Sequence, residues 1–265
     1  MLNFLARLHV EAGISRTSNS NLRLGVLLSF VAGATNAGGF LAVGLYTSHV
    51  TGLFSSIADN LILGNILLTL GAVTALIAFL LGAMTTAMLI NWGLRIQLQS
   101  AYCLPLLLEA FMLLVFGVFG ASIKAVSILL VPVTVVILCF IMGLQNALIT
   151  KISKSEFRST HLTGVVTDLG IELGKLLYVN DASLPTKVLA NRPKLRALVW
   201  LLCSFMVGGV IGALAFKYLG YTMTLALALM VIAPTLAPVM AEVKRRFKGS
   251  IRPIRAKRRV HRRAG

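Results

Sequence analysis

Residues 66–91 read ILLTLGAVTALIAFLLGAMTTAMLIN, 26 positions without one Asp, Glu, Lys or Arg. About 20 mostly apolar helical residues suffice to cross the hydrocarbon layer of a bilayer, and this run exceeds that. Backbone amides in lipid must be satisfied within their own segment, so the run is read as a helix and not a strand. Working outward, five more windows qualify: 24–45, 102–121, 125–149, 197–216 and 220–240. Among the six, only 102–121 holds a charged residue, Glu109.

Composition agrees with that reading. The 265 residues are 57% hydrophobic and 12% charged, with a mean hydropathy of +0.89. Soluble domains carry about a quarter charged residues, so this chain lacks the polar surface to cover a core in water. Arg7, His9 and Glu11 interrupt the N-terminal segment, which therefore does not read as a cleavable signal. Residues 1–22 are expected to form a short cytoplasmic lead, 23–240 a six-span membrane domain, and 241–265 a basic cytoplasmic tail. Cys103, Cys139 and Cys203 fall in separate apolar runs, which suits packing rather than a disulfide framework or a zinc site.

The basic residues orient the spans. Of the 25 Lys and Arg, 23 fall in alternate connections and the two termini, and 2 fall in the remaining connections. Positive charge stays on the cytoplasmic side, so both termini are expected there, in a multi-pass protein of the cell membrane. Trp92 and Trp200 fall at the cytoplasmic ends of their spans, where aromatic belts sit. The tail from Lys244 to Arg263 (KRRFKGSIRPIRAKRRVHRR) then reads as a segment lying on anionic lipid headgroups. Nucleic acid is the less favoured partner of this charge, and a second copy of the chain is left open as another.

Two stretches 110–112 residues apart resemble each other. Val31–Leu61 reads VAGATNAGGFLAVGLYTSHVTGLFSSIADNL, and Ile141–Leu173 reads IMGLQNALITKISKSEFRSTHLTGVVTDLGIEL. Gly33 and Asn36 match Gly143 and Asn146, and Ser48–Gly52 matches Thr160–Gly164, with His49 against His161. After each His-x-Thr-Gly comes a polar stripe at helical spacing: Ser55, Ser56, Asp59 and Asn60, then Thr167, Asp168, Glu172 and Lys175. Each is expected to be an amphipathic helix of about 12 residues, roughly 18 Å long and too short to span. Three spans per copy is an odd number, so the copies enter from opposite sides. The expected fold is all-α and polytopic: six transmembrane helices as two inverted three-helix repeats, about 23–121 and 125–240. Gly208-x-x-x-Gly212 marks a close helix contact.

At these residues the chain resembles the YoaK family of bacterial integral membrane proteins, whose defining domain has no assigned function. The resemblance covers about residues 22–240. It rests on Gly33–Ala37, His49–Gly52, the Met-Gly-Leu-Gln-Asn-Ala of Met142–Ala147, and the Thr-Gly-x-x-Thr-Asp of Thr163–Asp168. In that family an acid often stands where this chain has Asn36, and an Asn where it has Leu53. The resemblance implies a membrane fold and names no substrate.

The candidate site lies where the two motifs approach the bundle interior. Thr51 and Thr163 would cap the following helices, leaving N–H groups at a positive dipole end. Gly52 and Gly164 would permit close backbone approach, and Asn36, Gln145 and Asn146 would supply neutral hydrogen bonds. His49 and His161 would take up and release protons. Glu109 stands inside a span, where an ionisable group is a functional suspect by default. Asp59, Asp168 and Glu172 complete the candidates for ion or proton coupling. The expected function is a small secondary transporter for a polar or anionic solute, with a passive channel and a non-transporting scaffold as alternatives. No phosphate-binding loop, His-Glu-x-x-His or Gly-x-Ser-x-Gly occurs, so neither ATP hydrolysis, nor an enzyme, nor a metal or other cofactor is expected.

Overall fold

The computed structural model describes residues 18–122, 127–153, 162–180 and 187–261. His161, Thr160 and most of the N-terminal lead lie outside them. Among the described residues there is no strand. The helices are α1 (Ser18–Val43), α2 (Val50–Ile62), α3 (Ile66–Arg95), α4 (Cys103–Ser122), α5 (Ser127–Ile152), α6 (Leu162–Leu177), α7 (Arg192–Leu219) and α8 (Met223–His261). Five continuous stretches are long and apolar enough to cross a membrane: Ser20–Val43, Ile66–Arg95, Cys103–Ala121, Val131–Ile152 and Arg192–Phe247. The last of these is two helices. Gly220, at φ +63°, ends α7, and a 3-10 turn over Gly220–Thr222 leads into α8. Tyr221 of that turn meets Phe116 edge-on at 5.7 Å and Phe216 at 6.1 Å between ring centroids, which pins the break against α4.

Glycines decide which helices lie side by side. A Cβ on Gly33 would run into the backbone carbonyl of Phe205, and one on Gly208 into that of Phe30, so α1 and α7 touch backbone to backbone. The same arrangement joins α3 to α5: Gly82 abuts the carbonyl of Phe140 and Gly143 that of Phe79. All four glycines follow a phenylalanine by three positions, and each phenylalanine offers its carbonyl to a glycine of the other helix. In lipid no hydrophobic driving force holds helices together, so backbone approach of this kind, with its dispersion and Cα–H···O contacts, takes over. Ser204 Oγ donates to Val26 O at 2.7 Å in the first pair, and Thr86 Oγ1 to Leu144 O at 2.8 Å in the second.

The directions of these pairs are readable from their contacts. Within a pair the helices run parallel: Val26 meets Ser204, Phe30 meets Gly208 and Gly38 meets Phe216. Between pairs they oppose each other. Asn21 Nδ2 donates to Ile152 O and Gln145 Nε2 to Leu28 O, an antiparallel register of α1 on α5. Helix α8 runs antiparallel along α4, with Gly117 against Thr224 and Gly120 against Tyr221. The largest fully buried side chains, among them Leu28, Leu106, Leu113, Phe116, Ile141 and Met142, lie where α1, α4 and α5 meet, with Leu227 and Val231 of α8 beside them.

Two expectations need correction, and one helix runs beyond its apolar stretch: α8 continues from that stretch through the basic segment to His261. Its start there is held by Glu242, which is buried and accepts from Gln99 N at 2.9 Å, Arg245 at 2.9 Å and Arg246 at 3.1 Å. Cys203 is exposed on α7, facing away from the bundle, whereas Cys103 and Cys139 are buried. Helix α6 has 16 residues, about a turn more than the polar stripe implied, because Gly174–Leu177 continues it.

Candidate functional site

The chain does not run straight out of α1 into α2. Helix α1 continues to Val43, Gly44 turns at φ +71°, and Ser48 then donates from both N (3.3 Å) and Oγ (3.1 Å) to Asn36 Oδ1. Asn36 precedes the end of α1 by seven residues, about 10 Å of helix rise. Residues 44–49 therefore dive back into the bundle, and α2 starts at the depth of Asn36. It is a helix of 13 residues. Irregular backbone at that depth is tolerated where protein or a cavity surrounds it, and Thr47 is accordingly buried.

Such a cavity is present, with a volume of about 720 Å³. The start of α2 lines it through His49, Val50 and Thr51, and the start of α6 lines it through Leu162 and Thr163. Asn36 of α1 and Asn146 of α5 face it from the two matched positions. Five of the residues singled out in the sequence (Asn36, His49, Thr51, Asn146 and Thr163) thus share one space.

The other described candidates do not line it. Gln145 is buried one position away, its amide donating to Leu28 O at 2.9 Å, so it ties α5 to α1. Gly52 leaves room for the His49 imidazole folded over the helix start, where a Cβ would meet Cε1 at 2.8 Å. Gly164 lies half-buried in the first turn of α6.

Thr51 and Thr163 are not caps. The first helical hydrogen bond of α2 runs from Leu53 N to His49 O, so His49 is the cap residue, without a side-chain bond. Thr51 and Gly52 consequently sit in the first turn, where N–H groups have no intrahelical acceptor. In α6, Thr163 lies within the helix, preceded by helical Leu162, and its carbonyl accepts from Thr167 Oγ1 at 2.8 Å.

The acids lie elsewhere. Asp59 is exposed on α2. Asp168 pairs with Lys194 at 3.3 Å. Glu172 is buried and accepts from Asn191 N at 2.7 Å and Lys175 Nζ at 2.9 Å. That backbone N–H, then the Lys175 ammonium, hold the Glu172 carboxyl below its usual range. Both acids fasten α6 to the start of α7. Glu109 is fully buried on α4, away from the cavity, and neither carboxyl oxygen has a partner among the described residues.

Several lining residues went unnoticed in the sequence. Phe79 and Phe205, whose carbonyl oxygens face glycines of the neighbouring helices, line the cavity wall, and Tyr46, Thr150 and Lys151 join them. Lys151 Nζ donates to Asn91 Oδ1 at 3.1 Å. A signal existed: Phe30 and Phe140 precede Gly33 and Gly143 equally, and Phe79 and Phe205 do the same before Gly82 and Gly208.

A family model described as a protein of unknown function (DUF1275) matches residues 24–237, most of the membrane domain. The chain belongs to this family. A relative within reach is the UPF0700 transmembrane protein YoaK of Bacillus subtilis (strain 168), 29% identical over 192 residues, which cover 71% of this chain and 81% of the relative. No solved structure matches the chain. A transmembrane relative and five apolar stretches of spanning length together make this family member an integral, multi-pass membrane protein.

Proposed function

We propose that the protein is a small secondary transporter for a polar or anionic solute, built as two inverted repeats of three spans, with both termini in the cytoplasm. The observation that carries the reading is the convergence of two motifs on one cavity. Helices α1 and α5, which carry the matched Asn36 and Asn146, run in opposite directions, yet the short helices that follow them start at the same space. Broken or re-entrant elements at matched places in opposed repeats, with helix N-termini turned toward a central site, are the design of many secondary transporters. The paired Phe-x-x-Gly contacts support the same reading, because α1 with α7 and α5 with α3 are then equivalent bodies able to rock about the site between them. In this scheme Arg192–Phe247 contributes two spans, and the excess of Lys and Arg in alternate connections faces inward.

Single cysteines at Thr51 and Thr163, in a background lacking Cys103, Cys139 and Cys203, test the scheme. Each position is expected to react with a membrane-impermeant reagent supplied from either face, since alternating access exposes the cavity to both. Cysteines at Gly64 and Tyr178, at the far ends of the short helices, are expected to label from opposite faces only. If 51 and 163 react from a single face, the cavity is a blind pocket and transport is excluded. If 64 and 178 label from the same face, the repeats are not inverted.

A further inference from the structure

We infer that the solute this cavity takes is a small organic anion with an apolar body, a monocarboxylate in the simplest case. The inference deepens the transporter reading and rests on it only for the step from binding to passage.

The charge comes first. Among the described residues Lys151 is the lysine on the cavity wall, no Asp or Glu lines that wall, and no described acid pairs with Lys151. Its ammonium is held by the neutral Asn91, so no described acid offsets its charge there. Next comes the hydrogen-bonding sense. Asn36 is nine-tenths buried, and its oxygen is taken by Ser48, so its amide N–H2 is left without a described acceptor on a residue that lines the cavity. Thr51, which also lines the cavity, has its N–H ahead of the first helical bond of α2. The described polar lining is thus rich in donors and carries positive charge, which suits an anion and repels a cation.

The walls decide what kind of anion. Phe79, Phe205 and Tyr46 line the same space, together with Val50, Ala83 and Leu162. Inorganic phosphate or sulfate would have to turn strongly hydrated oxygens toward phenyl rings, at a desolvation cost nothing there returns. A carboxylate with a hydrocarbon body divides itself between the two linings. Its head takes Lys151 and the donors, and its body lies against the phenylalanines.

The full-length protein in detergent, equilibrated by dialysis against radiolabelled benzoate, inorganic phosphate or benzylammonium, separates the classes. Saturable benzoate binding is expected, with phosphate and benzylammonium much weaker. Lys151→Gln should weaken benzoate about tenfold or more, the loss of one charge-assisted hydrogen bond, while Lys151→Arg retains binding. Phe205→Leu should weaken it several-fold without changing the charge dependence. Tighter binding of phosphate or benzylammonium, absent benzoate binding, or an unchanged affinity in Lys151→Gln overturns the inference. Flux in proteoliposomes keeps the two readings apart. Benzoate that binds without crossing sinks the transporter and leaves the anion site, whereas flux of a cationic solute without benzoate binding does the reverse.

Discussion

The sharpest consequence of the fold concerns four alanine substitutions. Placing a Cβ on Gly33, Gly82, Gly143 or Gly208 drives it into a facing carbonyl oxygen, and on Gly82 also to 2.9 Å from Leu144 N. The obstacle is backbone, which cannot rotate aside. Carbon and oxygen are comfortable at about 3.5 Å, so the two helices of a pair must separate by on the order of 1 Å. A gap of that size forfeits a quarter to a half of each dispersion contact along the seam. Overpacking of this type costs about 1–3 kcal/mol. Helix propensity works the other way, since alanine is favoured over glycine by about 1 kcal/mol inside a helix. Gly71, Gly170 and Gly174 have nothing within 4 Å of an added Cβ, so only that favourable part applies to them. Thermal unfolding in detergent should show all four contact variants destabilised, Gly33→Ala alongside Gly143→Ala and Gly82→Ala alongside Gly208→Ala, while Gly71→Ala is unchanged or raised. A neutral Gly82→Ala, or a Gly71→Ala as damaging as Gly82→Ala, would refute the backbone contact between α3 and α5.

Other expectations follow from buried acids. Glu109→Leu should raise thermal stability by about 1–3 kcal/mol, because a buried carboxyl without partners is a net cost; a fall would mean that the carboxyl is paired in the membrane. Glu242→Ala should free the loop between α3 and α4, leaving Gln99 N without its acceptor and Arg245 and Arg246 without their acid, and protease cleavage near Gln97 should accelerate. Glu172 has its pKa lowered from the ordinary 4.5, so its contribution is present above that value and is lost as pH falls through the lowered one. The protection of the Asn191 amide, its exchange rate divided into the intrinsic base-catalysed rate at each pH, should therefore fall on acidification in the native chain, while in Glu172→Gln that ratio stays constant across the range.

Much of this protein could be read in its residues. Uncharged runs such as 66–91 demand helices in lipid, because the backbone has no other partner there, and the described apolar helices begin and end near those runs, except that α8 continues past its run to His261. The matched Asn36 and Asn146, and the two Thr-Gly motifs, were visible as a repeat. Where α2 and α6 begin was less visible. A Thr before a Gly looks like a helix cap, but the loop after Gly44 is short enough to pull the chain down to Asn36, and His49 is the cap residue instead.

What the amino-acid sequence determines by itself is what acts through composition and local spacing: the apolar runs, the helices they impose, the asymmetry of positive charge and the internal repeat. Which helices touch is another matter. A glycine three residues after a phenylalanine carries no local sign of its partner, and only the tertiary structure brings Gly33 to the Phe205 carbonyl and Gly143 to that of Phe79. The cavity has the same origin. Its polar floor comes from motifs 110 residues apart and its aromatic walls from Phe79 and Phe205, residues joined by no periodicity of one helix but by close packing of two opposed pairs.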